Sequence, residues 1–296
     1  MLFTDEKRGN FAKDPAVVRL NDTYFLYYST KIGENKYGIG ISESSDLETF
    51  TKIGELPLTQ ACEQKGIAAP GAIVLGGKIH LFYQTYGNWE NDAICHAVSG
   101  DGVHFDKNPE NPVYRPENTW CIGRAIDADV CVFEGKLHLY IATRDHEMRV
   151  QKVGGAWASL ESGFGKSAWT HLTNASILTP ELRWEGECIE APATIVHDGA
   201  IYMFYGGSYN CTPQQIGCAK SKDGRHFTRT SPLPFITNGE KGAWNESESG
   251  HPFAFKDKDE KMYLFYQGSP DKGKTWYLTK TQIGFENGKP VRKDLV

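Results

Sequence analysis

Apolar residues along this chain come in short runs of strand length, and helical periodicity is absent throughout. The stretch CIEAPATIVHDGAIYMFY (188–205) shows the unit. It is an apolar run, a tight His-Asp-Gly turn and a second run dense in aromatic and branched residues, which predicts a β-hairpin. Four more stretches match it: VVRLNDTYFLYY (17–28), IVLGGKIHLFY (73–83), VCVFEGKLHLY (130–140) and FAFKDKDEKMYLFY (253–266). Aligned on their turns, Tyr24, Ile79, Leu137, Ile201 and Met262 recur at about 55–64 residues, somewhat above the ~40–50 of common propeller repeats.

After three of the hairpins a second piece returns, SSDLETF (44–50), SGDGVHF (99–105) and SKDGRHF (221–227). Its Asp turn leaves a third strand (IGI at 39–41, ICHA at 94–97, IGCA at 216–219) and its Phe begins a fourth. Each unit is therefore expected to be a four-stranded antiparallel sheet. Such sheets must stack to bury both faces, and five of them stacked radially make an all-β, five-bladed β-propeller over residues 1–296. An irregular β-sandwich would not repeat the turn register in this way.

Composition adds little to that picture: 40% hydrophobic and 23% charged residues are ordinary for a soluble globular protein. The net charge of −5, without a basic run, argues against nucleic acid as a partner. No apolar stretch is long enough to span a bilayer, so no membrane partner is expected. The first ten residues lack the apolar core of a signal peptide; the expectation is cytoplasmic, or periplasmic or secreted if a leader has been removed. The seven cysteines show no C-x-x-C spacing, which predicts reduced thiols and neither a zinc site nor a disulfide framework. Oligomeric state is left open.

The chemistry comes from what stands at the entry of each first strand, which in a propeller lines the axis. Blade one has Asp14, eight residues before the Asp22 turn; blade three has Asp127, eight before Gly135; blade four has Glu190, nine before Gly199. Blade two carries Ala68-Ala69-Pro70 there, and blade five His251-Pro252. Three carboxyls thus converge among apolar neighbours, a costly arrangement unless at least one is protonated. A site that keeps one carboxyl protonated and another ionised suits general acid–base work of the kind glycoside hydrolysis needs. Bland alternatives exist for each: Asp14 as a turn cap before Pro15, Glu190 as a ligand of a structural cation or a partner of Arg124 or Arg183, and Asp129 as the functional acid in place of Asp127.

KDP at 13–15, AID at 125–127 and IEAP at 189–192, in this order within five repeats, resemble glycoside hydrolase family 43, five-bladed propellers acting on arabinose- and xylose-containing glycans. The resemblance covers essentially the whole chain. It implies that Asp14 is the general base, Asp127 the residue that tunes and orients the acid, and Glu190 the general acid. The reaction implied is single-displacement hydrolysis with inversion at an oligosaccharide or glycoside, releasing a terminal pentose or furanose. Asp127 is expected to raise the pKa of Glu190 by like-charge repulsion.

The family requires no cofactor, but a central histidine in it often holds a calcium ion or a water under the sugar, and His251 is the matching metal candidate. Arg124 and Arg144 are candidates for contacts to sugar hydroxyls. Trp89, Trp120, Trp184, Tyr209 and Trp276 are candidates for the stacking platform, about half of them expected to be ordinary core. Two other readings stay open. A mannoside phosphorylase of related fold would want a basic axial set, and a sugar-binding propeller without catalysis would repeat one polar set in every blade.

Overall fold

The computed structural model describes residues 1–293, which hold twenty strands and no α-helix. Blade one is β1 (Lys13–Leu20), β2 (Thr23–Gly33), β3 (Lys36–Ser44) and β4 (Thr51–Glu55). Blade two is β5 (Ile67–Leu75), β6 (Lys78–Thr85), β7 (Ile94–Ser99) and β8 (Asp106–Lys107). Blade three is β9 (Ile126–Phe133), β10 (Lys136–Arg144), β11 (Gln151–Ser159) and β12 (Thr170–His171). Blade four is β13 (Ile189–His197), β14 (Ala200–Gly207), β15 (Gln215–Ser221) and β16 (Thr228–Arg229). Blade five is β17 (Glu248–Lys256), β18 (Met262–Ser269), β19 (Tyr277–Glu286) and β20 (Lys289–Arg292). Each blade is one antiparallel sheet with its strands in chain order, so the fold is a five-bladed β-propeller.

The first hairpins form where the sequence places them, because their two-residue turns can take left-handed backbone. Glu134-Gly135 and Asp198-Gly199 both have positive φ at each position, the conformation that matches the twist of the flanking strands. The Ser-x-Asp motifs fold into side-chain-bonded turns. In blade two Asp101 Oδ1 accepts the N–H groups of Val103 and His104, each at 2.8 Å, and blade four repeats this with Asp223.

The core lies between blades rather than within them. Phe82 and Ile94 of blade two pack with Val130 and Leu139 of blade three; Ile195 and Phe204 of blade four pack with Leu264 and Tyr266 of blade five. The ring closes through the N-terminal segment, where Phe3 exchanges two 2.8 Å backbone hydrogen bonds with Leu278 of blade five. All five inner strands therefore run side by side down one axis.

Candidate active site

Every inner strand breaks register at the same height. The interruption falls after Lys13, Ala68, Ile126, Glu190 and Gly250, in each case with a β-bulge. The next residue is left-handed in all five blades: Asp14 (φ 50°), Ala69 (45°), Asp127 (54°), Ala191 (49°) and His251 (40°). Non-glycine residues in that region cost on the order of 1–3 kcal/mol each and gather at functional sites. A bulge also re-aims a side chain, here those of Asp14, Asp127 and His251. Glu190 stands one residue before its bulge, at the place Lys13 holds in blade one. That is the physical reason for its nine-residue offset.

Each bulge frees one backbone N–H, and the preceding blade takes it. Gln267 Oε1 accepts from Asp14 (3.0 Å), Ser29 Oγ from Ala69 (2.7 Å), Gln84 Oε1 from Asp127 (2.7 Å) and Gln214 Oε1 from His251 (3.2 Å). For Ala191 the acceptor is Asp127 Oδ2 itself, at 3.3 Å. Gly250 leaves the space for Gln214; a Cβ there would lie 1.8 Å from the Gln214 carbonyl oxygen.

His251 sits between two of the carboxyls. Its Nε2 donates to Glu190 Oε1 at 3.1 Å, and its Nδ1 lies 2.8 Å from Asp14 Oδ1, an ion-pair approach rather than an aligned hydrogen bond. Burial works against charge on the imidazole, but Asp14 and Asp127 outweigh it and hold its pKa well above the ordinary value. Burial likewise pushes the Asp14 carboxyl up, yet Lys13 and His251 hold it well below the usual carboxylate range.

Asp127 goes the other way. Burial pushes it up to about 7, against the pull of His251 and with the help of Glu190 and Asp14. Glu190 is lowered: burial opposes its charge, but the hydrogen bond and charge of His251, the bond from Gln214 and the charge of Lys13 prevail. The like-charge expectation for Glu190 is thus reversed in the free protein. The reason is the number of donors. Glu190 accepts from Gln151 Nε2, Gln214 Nε2 (2.6 Å), Asn210 Nδ2 (3.3 Å) and His251, whereas the one hydrogen bond described at Asp127's carboxyl is the long one from Ala191.

Gln151 opens β11 and is fully buried. Its carbonyl oxygen accepts from Arg144 Nε at 2.8 Å and Arg124 Nη1 at 3.3 Å, so two guanidinium groups fix its amide with the NH₂ toward Glu190. Gln151, Gln214, Asn210 and Lys13 were not singled out from the sequence. For Gln151 and Gln214 the signal available was a polar residue at the start of a third strand; Lys13 stands next to Asp14 at the start of β1, and Asn210, in the loop between β14 and β15, carries no local signal.

The other sequence candidates separate by exposure. Trp89 is 62% exposed, with Arg124 and Arg144 at 5.9 and 5.7 Å from its ring. Arg144 also lies 5.0 Å from the Tyr209 ring, held between two aromatics. Arg124, expected to meet sugar hydroxyls, is instead buried beneath Trp89, whose carbonyl it bonds, and pairs with Asp92 at 3.7 Å. Trp120 packs over Gly154 of β11, Trp184 over Gly207 and Tyr205, and Trp276 is buried against Phe11 and Lys13. Asp129 is outside the cluster, its Oδ2 accepting the N–H (2.7 Å) and hydroxyl of Thr194. Arg183 makes no ion pair with Glu190 among the described residues. One donor atom each from Asp127, Glu190 and His251 falls within 4.8 Å of the others.

Among curated protein sequences none matches the chain. Solved structures do. A thermostable family-43 glycoside hydrolase superposes with a TM-score of 0.78 at 21% identity, covering 95% of this chain and 92% of that one. An endo-1,4-β-xylanase from Bacteroides thetaiotaomicron gives 0.76 at 18% identity, with 95% and 94% covered. An exo-1,5-α-L-arabinanase from a bovine ruminal metagenomic library gives 0.72 at 17%, with 98% and 99% covered. The model of the glycosyl hydrolases family 43 matches residues 9–283, and the chain, a glycoside hydrolase, belongs to that family.

Proposed function

We propose that the protein is an inverting hydrolase that releases a terminal pentose or furanose, such as α-L-arabinofuranose, β-D-xylose or β-D-galactofuranose, from an oligosaccharide or glycoside. The observation that carries this reading is the single imidazole between Asp14 and Glu190. With contacts of 2.8 and 3.1 Å on its two nitrogens, the carboxyl oxygens lie at most about 8 Å apart, compatible with the roughly 6.5–9.5 Å of inverting enzymes. Asp14, ionised over the whole working range, takes a proton from water as general base. Glu190 gives one to the leaving oxygen.

The proton for Glu190 is already in the site. Burial pushes Asp127 up to about 7, so below neutrality it is the carboxyl that holds a proton, while Glu190 is held low. A glycosidic oxygen that displaces donors from Glu190 moves the proton across. The near-complete burial of all three carboxyls favours a chain end entering from the Trp89 side over a polymer lying across the site.

An axial cation would take the place of those protons on the same set. Asp127, Glu190 and His251 would hold it with two carboxylates and one imidazole nitrogen, and water would complete the six to eight ligands calcium takes. Bound there, it would supply positive charge in place of the imidazolium proton.

The test is a panel of nitrophenyl α-L-arabinofuranoside, β-D-xyloside and β-D-galactofuranoside, with the first-formed sugar anomer read by proton NMR. Turnover of one sugar with initial release of the inverted anomer is the expected result. Retention of configuration would overturn the roles of Asp14 and Glu190.

A further inference from the structure

A pair of cysteines outside the catalytic cluster face each other. Cys62 lies in the 3-10 turn Ala61–Glu63 that leads into β5, and Cys95 lies in β7 of the same blade. Their sulfurs are 4.0 Å apart. Cys95 is fully buried, whereas Cys62 is partly exposed and lines a surface cavity of about 420 Å³ with Gln64, Lys65, Asn88 and Asn91. A small reagent in that cavity meets Cys62 first, with Cys95 directly behind it.

The electrostatics fit a thiolate at the exposed position. The hydrogen bond from Cys95 lowers Cys62 to about 7, against burial and the charge of Glu63 and with the help of Lys107. The same bond, together with burial, keeps Cys95 protonated. Lys107 is itself held on both oxygens of the Glu63 carboxylate at 2.6 Å, so that ion pair is fixed beside the sulfurs. An exposed, activated thiol backed by a buried resolving thiol is the arrangement of an oxidisable dithiol.

We propose that Cys62 and Cys95 are a modification site that a peroxide converts to a disulfide. The Cys62 thiolate attacks one peroxide oxygen, the O–O bond breaks, and the departing oxygen leaves as water after taking up a proton. Cys62 is then a sulfenic acid. The Cys95 sulfur attacks the Cys62 sulfur, the S–O bond breaks, and the second water carries away the proton of Cys95. Two thiols lose two electrons and the peroxide is reduced to two waters.

Closing the bridge brings the sulfurs from 4.0 Å to about 2 Å. The movement falls on the surface turn rather than on the central strand β7. That turn also carries Glu63, which bonds Tyr83 of β6 at 2.7 Å and caps the N–H groups of Thr59 and Gln60.

The experiment treats the whole protein with hydrogen peroxide, then unfolds, alkylates and weighs it. The expected result is a drop in alkylatable thiols from seven to five, a peptide holding Cys62 linked to one holding Cys95, and reversal by dithiothreitol. Cys62→Ser, a change at the partly exposed position, should keep all its remaining thiols. Cys95→Ser, which keeps a hydrogen-bond donor toward Cys62 but cannot form a disulfide, should stop at a sulfenic acid that dimedone traps on Cys62. Seven thiols surviving in the wild type would overturn the proposal, as would sulfinic acid on Cys62 with Cys95 still alkylatable, or a bridge to another cysteine.

Discussion

The two ends of the propeller axis are built from the same five strands and share almost nothing else. At the entry end the inner strands carry Asp14, Asp127, Glu190 and His251, and the free space on the axis is about 20 Å³. At the hairpin end the same strands line a cavity of about 550 Å³ with Val17, Val74, Val130, Ile195 and Phe255. A search for a large apolar hollow, the usual starting guess for a site, leads to the hairpin end. Converging buried charge points to the other end. The switch occurs within two or three residues of each bulge, and Asp129 borders both spaces.

The sharpest way to break the comparison is to change one residue at each end. Asp14→Asn should lower kcat by about 10³- to 10⁴-fold, the upper range for loss of a general base. Glu190→Gln should cost a similar factor on substrates with an alkyl leaving group and much less on a nitrophenyl glycoside, whose leaving group needs little protonation. Val130→Ala, at the hairpin end, should leave kcat within about twofold and lower only stability, by roughly 1 kcal/mol or somewhat more. Steady-state kinetics on both substrate types, with thermal melts, reads all three. Equal losses of kcat at the two ends would remove the distinction.

A smaller effect is expected from Gln151, which shapes the active end without meeting the sugar. Its amide donates to ionised Glu190, so removing it with Gln151→Met favours the protonated acid. One hydrogen bond to a charged group contributes on the order of 1.5 kcal/mol, or about one pKa unit. The basic limb of the kcat/KM–pH profile should therefore move up by about one pH unit, with kcat falling about tenfold as the acid loses its orientation. A merely structural role would lower the melting temperature and leave the limb where it is.

Much of the active end was legible because strand periodicity and turn chemistry are local. Five hairpins, the shared height of Asp14, Asp127 and His251, and even the extra residue before Glu190's turn follow from counting along single strands. What did not follow depends on neighbouring blades. Gln151 and Gln214 lie at the starts of third strands, and nothing in their local sequence says that their amides reach Glu190. Arg124 looked like a sugar ligand, but its guanidinium is used under Trp89 by partners from blade two and from β11. The lowering of Glu190 is hidden from the sequence for the same reason. Repulsion between carboxyls is readable from charge alone, whereas the four donors on Glu190 come from three strand entries and a loop.

The smallest expected effect tests the boundary between the ends. Burial pushes Asp129 up to about 7, from an ordinary value of 3.8 in the unfolded chain, although bonds from Thr194 oppose it. A raised folded-state pKa means that its stability contribution is complete below about pH 4 and is lost as pH rises through 7. Asp129→Asn keeps an acceptor for the Thr194 N–H and hydroxyl but has no charge to bury. The variant and the wild type should therefore melt at similar temperatures at pH 4, the gap should open between pH 4 and pH 7, and the variant should melt several degrees higher at pH 8. Asp127 titrates in the same direction in both proteins and cancels in the difference. Hydrolysis should be unchanged within about twofold, because Asp129 faces Thr194 and not the catalytic cluster. A pH-independent melting difference would mean that Asp129 does not carry the buried proton. A loss of kcat near that of Asp14→Asn would mean that the chemical end of the axis reaches past the bulges.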